Sequence, residues 1–275
     1  MTDTTSSDVL QRIEAYLDAV PRSAAEPEAV GKFTLFRPFG PWPYYARPRL
    51  GLDKPINRAD VDLLRDRQRA LNLPENIEWV VETTPSLSSA ARESGLVVHG
   101  YPLLALAGRE VARSEPPEGV DIRLVDADDE QFAAAHAVAS VGFGAAGTQV
   151  GPEGAKERDA HAAAMKPASL DFMRNRARRG WSISYAAFDE TGPIAVGTYQ
   201  PVGDVTEIVG VATLPTARRR GIAAALTAAL VADSQRRGVA TIFMGADNDD
   251  VARIYERVGF KRIGSAGAAE LVDAG

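Results

Sequence analysis

The sequence predicts a mixed α/β fold with two lobes, and three observations lead to this prediction. Predicted strands and helices alternate along most of the 275 residues. Near the C-terminal end, a strand, a helix and a second strand follow one another, which requires a parallel crossover connection. A strand–helix–strand pattern also occurs twice: residues 242–264 align with residues 78–100 when 164 is subtracted, so that Gly259 falls on Gly95 and Phe260 on Leu96. Any unit of this kind would give a similar pattern, so coincidence is the alternative.

The first lobe is predicted to span residues 1–115, and it begins with a helix over 8–20 in which apolar residues recur at helical spacing. A hairpin with its turn near Phe39–Pro43 follows, because alternating apolar residues flank a segment rich in proline and glycine. The next elements are a helix over 58–74, a strand over 76–82, a capped helix over 84–95 and a strand over 96–108. Residues 109–119 are charged, contain proline and have few apolar side chains, which predicts a linker.

The second lobe is predicted to span residues 118–275. The pattern predicts strands over 120–126, 205–215 and 240–246, a hairpin over 181–204 that turns near 190–192, helices over 128–143, 169–180, 217–238 and 248–259, and closing strands over 260–271. The stretch 142–167 is rich in glycine and alanine and receives no assigned element.

Composition narrows the function classes. Hydrophobic residues make up 45% of the chain, enough for a full core. The net charge of −6 argues against a nucleic-acid binder, because phosphate contacts need a basic surface. The chain has no cysteine and only three scattered histidines, so we expect no metal site. No basic segment followed by an apolar run opens the chain, and no apolar run is long enough for a bilayer, so we expect a soluble cytoplasmic protein without a membrane partner.

The segment 214–223, LPTARRRGIA, predicts an anion-binding turn. A strand leads into it and a helix leaves it, and the first amides of a helix have no acceptor within the helix. Gly221 and Ala223 would let a pyrophosphate approach the backbone, and Arg218, Arg219 and Arg220 would add positive charge. Arginines at a helix N-terminus oppose the helix dipole, so an anion would compensate them. The alternative is a helix start that merely carries surface arginines.

These residues resemble a known family. The segment 213–223 is similar to the V-x-P-x-x-[RQ]-x-x-G-x-[GA] turn of the GNAT family, the acyl-CoA-dependent N-acetyltransferases, with Thr213 as a departure from the usual valine. The downstream N-x6-Y-x3-GF pattern fits the family too, and the resemblance covers roughly residues 120–275. It implies acetyl-CoA as co-substrate and a strand that splays from its neighbour, with Gly210 as a candidate bulge or an ordinary small strand residue. The cofactor-binding residues it implies are Val211, Ala212 and Thr213 on the strand, Arg218, Arg219, Arg220, Gly221, Ile222 and Ala223 in the turn, and Asn248, which is also a candidate helix cap.

Two residues are candidates for the proton transfers of amine acylation. Tyr255 matches the family's tyrosine and would protonate the leaving thiolate; its alternative is a core position on an apolar helical stripe. Glu207 stands eleven residues before Arg218, a spacing that the family's histone acetyltransferases show, and would deprotonate the amine. By strand alternation we expect Glu207 to share a face with Val209 and Val211, where partial burial would raise its pKa. A surface position, with a water chain as the base, is the alternative.

The first lobe carries the repeat without these groups. Ala91 stands where Tyr255 would fall and Thr84 where Asn248 would fall, and no [RQ]-x-x-G-x-[GA] turn occurs there. We therefore expect a degenerate, incomplete lobe that binds no CoA. Its aromatic hairpin would line an acceptor cleft, form a dimer interface or pack against the second lobe; its residues are Phe33, Phe36, Phe39, Trp42, Tyr44 and Tyr45.

The sequence thus predicts two tandem GNAT-like lobes and an acetyl-CoA-dependent N-acetyltransferase in which a small-molecule or peptide amine attacks the thioester directly. A non-catalytic acyl-CoA-binding regulatory module is the alternative. A nucleic-acid binder that uses the basic runs at 174–180 and 217–221 is disfavoured by the net charge. The acceptor cannot be identified from these residues, and a homodimer stays open.

Overall fold

The computed structural model describes residues 6–106, 108, 114–145 and 147–271, in which helices and strands alternate as predicted. The helices are α1 (Ser6–Ala19), α2 (Arg58–Ala70), α3 (Leu87–Glu93), α4 (Phe132–Gly144), α5 (Ala155–Ala163), α6 (Pro167–Arg178), α7 (Ile222–Arg236) and α8 (Asp249–Glu256). The strands are β1 (Ala25–Val30), β2 (Phe33–Pro38), β3 (Arg47–Pro48), β4 (Asn76–Val80), β5 (Val97–Leu106), β6 (Asp121–Val125), β7 (Ile183–Asp189), β8 (Gly192–Val202), β9 (Val205–Thr213), β10 (Thr241–Gly245) and β11 (Phe260–Glu270). The mixed α/β class is therefore confirmed.

The chain forms two compact units, and their boundaries differ from those of the two predicted lobes. The first unit comprises the residues up to Leu104 together with 245–248 and the residues from Arg262 onward, and the second comprises 105–244 and 249–261. The cause is β11, which lies between β4 and β5 and pairs antiparallel with β4 from Ala266–Val80 to Glu270–Asn76. Residues 118–275, predicted as one domain, thus lack the strands that flank β11. The residues 109–113 of the predicted linker lie outside the described residues.

The first unit buries its apolar side chains between α2, α3 and the strands. Phe33, Val61, Leu64, Ile77 and Trp79 are all at most 1% exposed and belong to one core cluster. β2 pairs antiparallel with β1 and with the short β3, so the predicted hairpin exists and gains a strand, β1, that the sequence analysis did not assign.

The aromatic hairpin divides into core and surface residues. Phe33 and Phe36 are fully buried, so they line neither a cleft nor an interface, and that expectation is wrong for these two. Phe33 belongs to the core cluster of its own unit. Phe39 is 73% exposed and Trp42 is 42% exposed, both in the loop between β2 and β3.

The strands of the second unit run in the order β10-β9-β8-β7-β6. The pairs from β6 to β9 are antiparallel, and β10 pairs parallel with β9, as the crossover through α7 requires. α4 and α7 both pack on β8 and β9. α5 lies within the glycine- and alanine-rich stretch where the sequence analysis assigned no element.

The internal repeat is confirmed as two strand–helix–strand units, β4–α3–β5 and β10–α8–β11, whose elements correspond at the offset of 164 residues. Gly95 and Gly259 both have a positive φ, 86° and 117°, and each ends the helical segment before the second strand. The following residues, Leu96 and Phe260, are both buried. Helix α3 was predicted to be capped, but its N-cap residue, Ser86, makes no capping bond. The Ser86 hydroxyl instead accepts a hydrogen bond from the Ile56 amide.

Candidate functional site

A bulge at Gly210 shapes the strand that leads into the predicted anion site. Thr198 of β8 pairs with Val209, whereas Val196 pairs with Ala212, so β9 contains one extra residue there. Gly210 has a φ of 65°, a conformation that favours glycine. The predicted bulge is therefore confirmed.

The bulge turns the following side chain to the other face of the sheet. Tyr199 donates to Asp233 of α7, and its pairing partner Ile208 faces α7 too, so Glu207 points to the opposite face. Val211 faces α7, since a Cβ on Gly197 would lie 2.7 Å from Leu230 Cδ1 and 3.2 Å from Val211 Cγ2. The expectation that Glu207 shares a face with Val211 is therefore wrong, because the extra residue reverses the alternation.

β9 and β10 pair only at their beginning. The parallel pairs are Val205–Thr241, Thr206–Ile242 and Glu207–Phe243. From Ile208 onward, β9 has no β10 partner among the described residues, while its other edge stays paired with β8. This is the splay that the resemblance implies, and it leaves the edge of β9 at Val211–Thr213 without a β10 partner among the described residues.

The turn after β9 presents backbone amides outward. A short 3-10 turn spans Pro215–Ala217, Arg219 has a φ of 65°, and Gly221 is the N-cap of α7 with a φ of 81°. The bond from Ala225 N to Gly221 O is the first of α7, so the amides of Ile222–Ala224 have no acceptor within the helix. Left-handed residues in such a turn create a concave set of amides that suits an anion.

The surroundings of Gly221 fit a bound pyrophosphate. A Cβ placed on this glycine would have no other heavy atom within 4 Å, so the space beside the amides is open. Arg219 and Arg220 are exposed next to it. The backbone, the space and the charge of this turn therefore match the phosphate groups of CoA.

Arg218 is held differently from its two neighbours. Its Nη2 donates to Gly142 O at 2.7 Å and to Ala145 O at 3.2 Å, and its Nη1 donates to Gln149 O at 3.2 Å. The guanidinium keeps its positive charge at the turn, and these three bonds hold it against backbone carbonyls of residues 142–149. The sequence analysis missed these partners, which lie 69–76 residues away in the chain.

Tyr255 lies on α8, which packs against α7. It is 6% exposed, its ring meets Phe260 edge-on at 6.5 Å, and no bond to its hydroxyl is found among the described residues. Burial raises the pKa of Tyr255 to about 12. The phenol is therefore protonated at neutral pH and can donate a proton, although the core packing that was its alternative is also real.

Glu207 and Asn248, the other two candidate side chains, lie at the end of the β9–β10 pairing and directly before α8. Glu207 is half-buried at the point where β9 and β10 separate, and it pairs with Gln200 of β8. Asn248 directly precedes α8, where a cap residue stands, and its side-chain amide donates to Asp247 Oδ2 at 2.9 Å.

The arginines of the basic run at 174–180 have partners within the second unit. Arg174 donates to Ala127 O, Arg176 is buried and donates to Ser182, and Arg178 pairs with Asp128. Over the part of the chain that the structure describes, no group of three or more metal-ligating side chains occurs, and no helix is long and apolar enough to cross a bilayer.

Comparison with known proteins finds a family match for part of the chain. Residues 153–260 match the family model described as acetyltransferase (GNAT) family. No curated protein matches the chain at the level of sequence.

Solved structures resemble the chain over nearly its whole length. A GCN5-related N-acetyltransferase from Kribbella flavida is 22% identical with a TM-score of 0.71, covering 97% of this chain and 96% of its own. A GCN5-related N-acetyltransferase-like protein from Streptococcus suis is 12% identical with a TM-score of 0.56, covering 97% and 99%. A tandem GNAT protein from the clavulanic acid biosynthesis pathway is 13% identical with a TM-score of 0.56, covering 88% and 79%. At these identities the likeness establishes the fold, including its tandem arrangement.

Proposed function

Because residues 153–260 are a domain of the acetyltransferase (GNAT) family, we propose that this protein transfers an acetyl group from acetyl-CoA to an amine. The observation that carries the proposal is the turn at Gly221, where free helix amides, open space and two exposed arginines meet. The acceptor is a small-molecule or peptide amine.

In the second unit, the turn and the strand β9 bind different parts of acetyl-CoA. The amides of Ile222–Ala224, with Arg219 and Arg220, hold the pyrophosphate. The unpaired edge of β9, at Val211–Thr213, offers backbone groups to the pantetheine arm and the acyl carbonyl. The co-substrate supplies the thioester, an activated acetyl group, so that no covalent enzyme intermediate and no cysteine are required.

Two side chains move the protons. Glu207 takes the proton from the acceptor amine, directly or through water, because only the free amine has the lone pair that attacks the carbonyl. As the new C–N bond forms and the C–S bond breaks, Tyr255 gives its phenolic proton to the departing sulfur. A backbone amide near Val211 stabilises the negative charge that develops on the carbonyl oxygen.

A non-catalytic acyl-CoA-binding module is the second candidate, since the same turn would serve it. The presence of both Glu207 and Tyr255, at positions that match the family, favours the enzyme. The deciding experiment measures release of free CoA thiol from acetyl-CoA in the presence of a panel of amines, amino acids and peptides. Acceptor-dependent release supports the enzyme, whereas tight CoA binding without release for any acceptor supports the regulatory module.

A further inference from the structure

Arg218 connects the beginning of one helix with the end of another. Its guanidinium, placed just before α7, binds the carbonyls of Gly142 and Ala145 at the C-terminal end of α4. A helix C-terminus carries partial negative charge and unpaired carbonyls, which a planar guanidinium with several donors satisfies well. A third bond reaches Gln149 in the α4–α5 loop, by which we mean the described residues between Gly144 and Ala155.

Backbone hydrogen bonds join the same loop to the turn. The Gly151 amide donates to Pro215 O, and the Thr216 amide donates to Glu153 O, both at 3.2 Å. Pro215 and Thr216 are adjacent residues of the short 3-10 turn that leads into the anion-binding turn, so both bonds hold that lead-in.

Glycines bring the two segments close together. A Cβ on Gly142 would lie 2.9 Å from Ala212 Cβ, and one on Gly151 would lie 2.9 Å from Pro215 Cβ. A Cβ on Gly154 would lie 3.0 Å from Thr216 Oγ1. Each of these approaches would force the neighbour to move if the residue were larger.

We propose that Arg218 is a positioning residue that locks the α4–α5 loop against the turn, and that this docked loop holds the turn in its CoA-binding conformation. The inference rests on the proposed function, because it assigns the turn to CoA. Arg218 acts through backbone geometry, whereas Arg219 and Arg220 act through charge. Since the loop and the cofactor site are coupled, CoA binding must in turn stabilise the docked loop.

The first test compares substitutions at Arg218 with the same substitutions at the exposed Arg220. Arg219 is avoided because its positive φ would complicate the comparison. Arg218→Ala should weaken CoA binding about tenfold through loss of charge-assisted hydrogen bonds. Arg218→Lys should not restore it, because an ammonium cannot serve three carbonyls as a guanidinium does. Arg220→Ala should lower the affinity for CoA and make that affinity less dependent on salt concentration. Arg220→Lys keeps the charge, so it should restore the affinity and the salt dependence.

The second test measures the loop without CoA, by hydrogen exchange at the Gly151 and Thr216 amides of the full chain. Arg218→Ala and Arg218→Lys should each exchange there about tenfold faster than wild type. Gly142→Ala provides a variant with Arg218 intact that should show the same exchange and the same loss of CoA affinity. Gly144→Ala is its matched control, since a Cβ at Gly144 meets nothing within 4 Å, and it should behave as wild type.

Two results would overturn the proposal. If Arg218→Lys binds CoA as wild type does, the residue acts through its charge. If the variants open the loop and leave CoA affinity unchanged, the docked loop does not hold the turn. Failure of the proposed function is visible separately, because the wild-type protein would then not bind CoA at all while the exchange measurement still reports the loop.

Discussion

The carboxylate of Glu14 accepts a hydrogen bond from the backbone amide of Val80 at 2.9 Å. Glu14 Oε1 also accepts from the Thr83 hydroxyl at 2.7 Å, and the side chain is buried. Val80 ends β4 and is the counterpart of Met244 in the repeat, since 244 − 164 = 80. At the end of β4, the first unit thus holds a buried carboxylate against its own backbone.

The first prediction is a stoichiometry of one CoA per chain. The second unit has the turn with free amides, whereas the helix start that corresponds in the first unit, at Asn57, has its Asp60 amide bonded by the Asn57 side chain and carries the Asp60 carboxylate. Titration calorimetry of the intact chain with CoA should give a value near one. Gly221→Glu should lose most of the binding heat; a value near two for the wild type would show that the first unit binds CoA as well.

The second prediction concerns Gly221. With CoA at about a hundred times its dissociation constant, the wild type should gain roughly 2–3 kcal/mol of unfolding free energy. Gly221→Glu should lose most of this gain, because the new carboxylate occupies the anion position. The measurement is the CoA-induced shift in melting temperature.

Gly238→Glu is the matched control for that variant. Gly238 lies just beyond the other end of α7, with a φ of 87° and no heavy atom within 4 Å of an added Cβ. Both substitutions cost about 1–2 kcal/mol of backbone strain. The CoA-induced shift should survive in Gly238→Glu only, and equal shifts in the two variants would remove the pyrophosphate from this turn.

The third prediction concerns Tyr255. Tyr255→Phe should keep CoA affinity and lower turnover about 10²–10⁴-fold, the usual effect of losing a positioned proton donor. Tyr199→Phe removes a buried hydroxyl that donates to Asp233, and it should lower stability by about 1.5–3 kcal/mol while keeping turnover per folded molecule. Normal turnover in Tyr255→Phe would leave that tyrosine with a packing role alone.

The fourth prediction concerns Glu207. Glu207→Gln should reduce kcat/KM most at low pH, where the acceptor amine is protonated and needs a base. As the pH rises toward the pKa of the amine, the variant should approach the wild type. The measurement is a pH profile of both proteins with one acceptor, with CoA affinity as the control. A reduction that is the same at every pH argues against a role as base.

The fifth prediction concerns the pH dependence of stability. His136 on α4 packs against Phe132, with ring centroids 4.4 Å apart, and burial, aided by the charge of Arg174, lowers its pKa to about 4. An unfolded histidine titrates near pH 6.5, so the unfolded chain takes up this proton first as the pH falls. The stability contributed by neutral His136 is present above pH 6.5 and is lost as the pH falls toward 4, by about 2–3 kcal/mol.

Chemical denaturation between pH 4 and 7 checks this prediction. His136→Leu should lack that part of the pH dependence, whereas His161→Leu, at an exposed histidine, should keep it. An unchanged profile in His136→Leu would assign the acid sensitivity to other groups.

Local sequence patterns were sufficient to predict most elements of both units. The spacing of apolar residues and the glycines and prolines that end helices depend only on residues a few positions apart. The repeat predicted β4–α3–β5 and β10–α8–β11 at the correct offset, since each unit has its own apolar strands and glycine stop. β1 escaped prediction because its sequence, AEPEAV, has little apolar character and pairs on an edge. α5 escaped because glycine and alanine give no amphipathic period, although the capping bond of Glu157 to Gly154 was a usable signal.

The site was predictable as far as it depends on contiguous residues. The turn from Arg218 to Ala223 and the bulge at Gly210 follow from glycine positions in the sequence. The reversal at Val211 is a consequence of that bulge, because one extra residue in β9 shifts the alternation of the side chains after it. The partners of Arg218 are backbone oxygens, which have no residue identity, so a sequence pattern could not have indicated them.

The position of β11 between β4 and β5 affects the order in which the protein can be made. Ala266 pairs with Val80, 186 residues earlier in the chain, so at ribosomal rates β4 waits roughly 10–40 s for its neighbour. Throughout that interval the nascent first unit has open strand edges, which are templates for wrong pairing with other chains. A chain that ends before Arg262 would therefore contain every earlier residue of the first unit and still lack the strand that completes its sheet. A frameshift late in the coding sequence should therefore cause aggregation.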